Sequence, residues 1–336
     1  MKPTAPSAAE RFSQSLTLIP ELTNVETVIR STFRSDVTPM REIPDYLLSL
    51  GGKRIRPALT LLCARALGAT HISRELVDIA AGIELIHMAT LMHDDIIDES
   101  PVRRHKPSPY ARYGVPLTLL SGDFLLTRAF GLCAKLDDKV IQATEQACIE
   151  LVEGEALETP LHLQPHTVET SITIAERKTA SLFRLAAFCA AHLSGASPEV
   201  IEEMSSFGQS LGVAFQMIDD ILDVISDEAT LGKRPGLDIA ERKPSIVNML
   251  WLKTGDVESK RLLTPPGDPT EPLYVRQSLE ALRNGVVIGE AKDVANLYAE
   301  RARTSLETAV RSTPGSSPEF VDTLFTIIEF ALERLR

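Results

Sequence analysis

Two clusters of aspartate raise the first chemical question about this 336-residue chain. Asp94, Asp95 and Asp98 end a strongly apolar run in His93-Asp-Asp-Ile-Ile-Asp-Glu99. On a helix, the i, i+4 spacing sets Asp94 and Asp98 one turn apart on one face. Like charges repel there, and a helix C-terminus also disfavours anions, so the cluster needs a counterion. Asp219, Asp220 and Asp223 repeat the DDxxD spacing among Phe215, Met217, Ile218, Ile221 and Leu222. One such motif alone could be a solvated acidic helix end. Two of them, at the ends of two apolar helices, point to shared divalent cations. Hard carboxylate oxygens without histidine or thiolate partners suit Mg²⁺, which keeps several waters and shares its shell with substrate phosphates.

Cations lie close to both clusters in sequence. Gly51-Gly-Lys-Arg-Ile-Arg-Pro57 places Lys53, Arg54 and Arg56 at a helix start, where backbone N–H groups also favour an anion. Arg103-Arg104 follows the first cluster, and Lys233 and Lys243 follow the second. Lys178-Thr179 sits inside another helical run. Singly, each is an ordinary solvated charge; together they suggest diphosphate recognition. The stretch lacks the glycine spacing and Lys-Ser/Thr ending of a P-loop.

The elements that must position these residues are helices. The 21 prolines leave 58–100, 117–159, 166–197, 199–234 and 273–313 free of proline, the intervals where long helices can run. Apolar residues recur there in three-and-four steps, as in Ile201, Met204, Phe207, Leu211, Phe215, Ile218 and Leu222. Four prolines in 101–116 predict a mostly irregular segment. No hairpin alternation, repeat or linker is visible, so the expectation is one all-α domain spanning 1–336, a large helical bundle. Residues 1–20 are expected to be a frayed lead-in.

Composition sets further bounds. The chain is 44% hydrophobic and 24% charged, which excludes a disordered protein. A net charge of −11 argues against nucleic acid as a partner. The apolar runs fall short of a membrane span, so no integral membrane segment is expected. The four cysteines form no CxxC pair, and no secretory signal is visible, which predicts a cytoplasmic location.

The segments GGKRIRP, HDDIIDESPVRR, KTASLF, FQMIDDILD and LGKRPGLD, in this order, resemble the trans-polyprenyl diphosphate synthases, most of all the medium- and long-chain members. The likeness is dense over 48–247. It implies the isoprenoid-synthase bundle around a central cavity, and a homodimer. It also implies about three Mg²⁺ ions, held by Asp94, Asp98 and Asp219 directly, with Asp223, Asp95 and Asp220 in support. By the same resemblance Lys53, Arg56, His87 and Arg104 bind isopentenyl diphosphate. Arg103, Lys178, Thr179, Gln216, Lys233 and Lys243 surround the allylic diphosphate. Of these, Arg103, Lys178, Lys233 and the six aspartates would carry catalysis. Ala89 and Thr90 match positions that floor the product tunnel; both are small, which predicts an all-trans product longer than C20.

Some positions depart from the family pattern. His105 stands where glycine is usual. In GLDIAERKPSIV (236–247), Arg242 takes a glycine position and Ser245 a threonine one. The stretch 255–275 looks like a surface insertion. Three alternatives to a long-chain synthase are a short-chain (C15 or C20) synthase, a terpene cyclase and a non-catalytic partner subunit. A cyclase carries a second motif of Asn/Ser/Glu type and lacks the isopentenyl diphosphate site. A partner subunit loses aspartates or cations that are all present here.

Overall fold

Several helices begin where the sequence supplies a side-chain cap. The computed structural model describes residues 8–227, 234–267 and 271–335. In chain order the first helices are α1 (Ala8–Ser15), α2 (Leu22–Thr32), α3 (Thr38–Ser49), α4 (Ile55–Ala66) and α5 (Arg74–Ile97). A two-stranded hairpin follows, β1 (Val102–Arg103) and β2 (Lys106–Pro107), and then α6 (Pro109–Tyr113), α7 (Val115–Cys133) and α8 (Asp138–Leu157). Next come α9 (Val168–Ile174), a π-helical turn over Ala175–Thr179, α10 (Ala180–Leu193) and α11 (Pro198–Ile225). The chain continues through α12 (Leu237–Ala240), α13 (Ile246–Lys253), α14 (Glu271–Asn284), α15 (Val287–Arg311) and α16 (Pro318–Glu333). Ser73, Asp137 and Ser197 accept hydrogen bonds from first-turn N–H groups of α5, α8 and α11. The protein is all-α apart from the hairpin.

The buried apolar side chains form one connected core. Helix α5 runs through it, with Ile79, Ile83, Leu85, Ile86, Ala89 and Met92 almost fully buried. Helix α10 packs against both α5 and α11, which keeps the two acidic helix ends on opposite sides of one space. Two glycines permit this closeness. A Cβ on Gly212 of α11 would lie 2.5 Å from the Cα of Ala180, and one on Gly154 of α8 would lie 2.5 Å from the Lys178 nitrogen.

Several local expectations are corrected. Residues 8–20 are not frayed: α1 packs on α16, Arg11 pairs with Glu329 at 2.8 Å, and Ile19 is fully buried. Segment 101–116 is ordered by backbone pairing, because Arg104 and His105 form a two-residue turn with φ of 51° and 62° that closes the hairpin. Most residues of 255–267 are exposed, and Ser259 and Leu262 anchor the stretch by their burial. Among the described residues two helices, α5 and α7, are long and apolar enough to cross a membrane. The apolar window of α5 is 78% buried within the protein and that of α7 33%. Counting only unbroken apolar runs had missed both.

Candidate active site

A cavity of about 790 Å³ opens between α4, α5, α8, α10, α11 and α16. On α5 the residues Glu84, His87, Leu91 and Asp94 line it at three-and-four spacing, one face of the helix. Asp219 enters from α11, so the first aspartate of each motif faces the same space. A smaller recess of about 190 Å³ continues past Asp219 to Asp220, Asp223, Lys178 and Lys243.

Cations gather at the α4 end. Arg54, at the left-handed residue preceding α4, pairs with the buried Glu84 at 3.1 Å. Arg56 lies over the Phe183 ring, with its buried Nε without a hydrogen bond. Lys53 lies 4.2 Å over Phe330 of α16, and Arg104 reaches back to the Gly51 carbonyl. His87 stands among these charges. Burial, then Arg56, Arg103, Arg104 and Arg54, holds its pKa well below the usual range, so the imidazole is neutral at pH 7. Four cations around one carboxylate make a pocket with excess positive charge, suited to a diphosphate.

The acidic end is neutralised internally. Lys178, on the π-helical turn, contacts Glu155 and Glu158, both at 2.6 Å. Burial alone would lower its ammonium pKa, but Glu158, Asp94 and Glu155 outweigh that and raise it. Lys243 contacts Asp98 at 3.0 Å and Glu241 at 3.1 Å. Thr179 donates to Gln216, which donates in turn to Asp220. Asp94 has its carboxyl pushed up to about 7, chiefly by burial, then by Glu155 and Asp98 against the opposing charge of Lys178.

The two motifs divide their aspartates between facing the cavities and holding the structure. Asp95 is fully buried under a bidentate Arg103 contact, Nη2 to Oδ1 at 2.7 Å and Nε to Oδ2 at 3.1 Å, and neither residue lines the cavity. Asp220 accepts from Ile246 N–H at 2.9 Å, and Asp223 from Asp238 N–H at 3.1 Å. Thr90 lines the cavity, whereas Ala89, one residue back and about 100° around the helix, is fully buried and does not. Lys233 lies outside the described residues. Sequence reasoning missed Glu84, Glu155, Glu158, Phe330 and Arg334, whose guanidinium pairs with Asp219 at 2.8 Å. The acids Glu155 and Glu158 were visible as an i, i+3 pair on α8; Arg334 carried no motif.

Among the described residues, no three acidic, histidine or cysteine side chains converge as a ready-made metal site. The donors that face the cavities are carboxylate oxygens, and these fit a hard divalent cation whose remaining ligands come from water and substrate.

The all-α bundle brings two acidic helix ends and a cationic pocket to one cavity, an arrangement suited to a diphosphate held through divalent cations. The profile of the family described as Polyprenyl synthetase matches residues 37–272. The octaprenyl diphosphate synthase of Escherichia coli (strain K12) is 38% identical over 245 residues, 72% of this chain and 75% of that protein. A short chain isoprenyl diphosphate synthase of Methanothermobacter thermautotrophicus is 33% identical over 309 residues, 89% of this chain and 92% of that one. The crystal structure of a polyprenyl synthase from Caulobacter crescentus CB15, complexed with calcium and isoprenyl diphosphate, superposes with a TM-score of 0.87 at 28% identity, covering 98% of both chains. The chain belongs to the polyprenyl synthetase family and is a prenyltransferase.

Proposed function

We propose that this enzyme condenses isopentenyl diphosphate with an allylic diphosphate primer, repeatedly, to an all-trans product longer than C20. The observation that carries this reading is that Asp94 and Asp219, from two separate DDxxD helix ends, line one cavity with the Lys53–Arg56–His87–Arg104 pocket. Bound Mg²⁺, up to three ions, would neutralise the leaving diphosphate, with Asp94, Asp98, Asp219 and Asp223 as its protein ligands. Lys178 and Lys243 lie beside those carboxylates, where they can shift from Glu158 and Asp98 to a diphosphate oxygen. The neutral His87 and the α4 cations hold isopentenyl diphosphate.

The chemistry then balances without a side-chain base. The allylic C–O bond ionises, and the released diphosphate takes the electron pair. The double bond of isopentenyl diphosphate forms the new C–C bond, and the proton lost from C2 passes to the released diphosphate. Leu91, Leu151, Leu182 and Phe215 give the cavity an apolar wall that keeps water from the allylic cation.

Product length follows from side-chain size along α5. Thr90, small and on the cavity wall, leaves room for a growing chain, and the likeness to the octaprenyl synthase supports the longer product. The test is turnover by the purified chain with Mg²⁺, isopentenyl diphosphate and farnesyl diphosphate, followed by chromatography of the dephosphorylated products. Products beyond C20 are expected, with shortening in Thr90→Phe. A wild-type product of C15 or C20 overturns the length assignment, and absence of turnover overturns the enzyme reading.

The same reading includes a cytoplasmic homodimer built on the exposed apolar face of α7, where Leu117, Leu119, Leu120 and Phe130 are open to solvent. Light scattering at micromolar concentration and cell fractionation test these two points.

A further inference from the structure

The closing segment after α11 carries an arginine where its relatives' pattern has glycine. The backbone explains the glycine: residue 242 has φ +62°, a left-handed conformation that a side chain disfavours. Arg242 is nevertheless fully buried. Its guanidinium forms a fork on Glu271, the first residue of α14, at 2.7 and 3.1 Å. It also donates to the carbonyls of Ile239 at 2.7 Å and Thr264 at 3.1 Å, and lies over the ring of Tyr274. Arg261 approaches the same carboxylate at 3.6 Å and the same ring.

The next residue is Lys243. Its N–H bonds the Asp238 carbonyl at 2.9 Å, and the Arg242 carbonyl accepts from Leu161 N–H at 2.8 Å. Its ammonium sits on Asp98 across the mouth of the site. The backbone that aims Lys243 is therefore clamped, one residue away, to a segment that does not line the cavity.

We propose that the Arg242–Glu271 ion pair is a positioning clasp for Lys243, through which Glu271 and the helix it begins set the affinity for the allylic diphosphate. This rests on the reading of Lys243 as a ligand of that diphosphate. The fork fixes the left-handed turn in one geometry, and the turn fixes where the ammonium points. Glutamine at 271 keeps the shape but loses the charge-assisted pair, so the turn gains freedom and Lys243 loses its aim.

The experiment is steady-state kinetics with farnesyl diphosphate as the allylic substrate, on Glu271→Gln, Arg242→Lys, Arg242→Gly, Lys243→Ala and the Lys243→Ala/Glu271→Gln pair. Thermal unfolding identifies the folded variants; Glu271→Gln, nearly isosteric, carries the test if Arg242→Gly fails to fold. The expected result is an allylic KM raised by about tenfold in the clasp variants, the cost of misplacing one charged contact. The KM for isopentenyl diphosphate should stay within about twofold, and the double variant should be no worse than Lys243→Ala alone. A merely structural role would raise both KM values, or make the double variant additive, and either result overturns the clasp. So does an unchanged allylic KM in Glu271→Gln while Lys243→Ala has its effect. An unchanged allylic KM in Lys243→Ala instead overturns the role of Lys243 itself.

Discussion

At the end of α5, the buried Asp95 is held by one long side chain, the guanidinium of Arg103 reaching in from the hairpin. At the end of α11, the matching Asp220 is held by the Gln216 amide on its own helix and by the backbone N–H of Ile246. In both places the second aspartate of the motif is hydrogen-bonded into the fold and the first lines the main cavity, although Asp220, unlike Asp95, also borders the smaller recess. The partners differ because the two following loops differ. A hairpin can present a side chain from a fixed strand, whereas the start of α13 presents an unpaired first-turn N–H. The DDxxD spacing thus anchors each helix end to its neighbouring loop while leaving another carboxylate on the cavity.

The sharpest way to break this division is to exchange the roles. Asp94→Ala or Asp219→Ala should lower kcat on the order of 10³-fold or more, because stabilisation of the leaving diphosphate is lost. Their thermal stability should change little. Near-normal turnover at saturating Mg²⁺ in either variant would sink the assignment.

Asp95→Ala should show the opposite balance. It strands the Arg103 guanidinium, 22% exposed, without its bidentate partner, and should cost roughly 2–4 kcal/mol of unfolding free energy. Asp220→Ala should cost roughly 1–3 kcal/mol by orphaning the Ile246 N–H. Chemical denaturation measures both. Equal stability losses in Asp94→Ala and Asp95→Ala would erase the distinction.

A smaller effect concerns pH in the metal-free protein. An unfolded aspartate titrates near about 3.9, whereas the folded Asp94 carboxyl is pushed up to about 7 by burial. The native state therefore keeps a proton that the unfolded state releases. This contribution to stability is complete below the unfolded value and is lost as pH rises through 7. With a chelator present, the melting temperature should fall between pH 4.5 and 7.5, and Asp94→Asn should flatten that slope. An identical slope in the variant would assign the titration elsewhere.

The smallest effect compares the two loops. His105 and Arg242 both adopt φ of 62°. His105 is exposed, so His105→Gly should be stabilising by no more than about 1 kcal/mol. Arg242→Gly, which relieves the same strain, should lower the melting temperature because it removes a buried ion pair. A gain in both variants would show that the Arg242 contacts contribute nothing.

The legible part of the molecule was its helices and its charged motifs. Three-and-four spacing placed Phe207, Leu211 and Leu222 in the core, and the aspartate clusters fell near helix ends. What stayed hidden depends on contacts distant in sequence. Ala89 and Thr90 are neighbours in sequence, but only the packing around α5 decides which of them meets the cavity. The hairpin rests on two left-handed residues that are not glycine, so no turn signal announced it. Arg334 joins Asp219 across more than a hundred residues, and no local pattern encodes such a pair.

That last contact bears on how the enzyme is made. Lys53 rests on Phe330 of α16 and Asp219 pairs with Arg334 just beyond it, so the end of α16 meets both the cationic and the acidic sides of the cavity. A ribosome delivers the chain N-terminal end first. A nascent chain that has exposed α4 and α5 therefore displays half of the cavity lining with nothing yet to close it. Chains released early would carry both aspartate motifs and still lack a finished site.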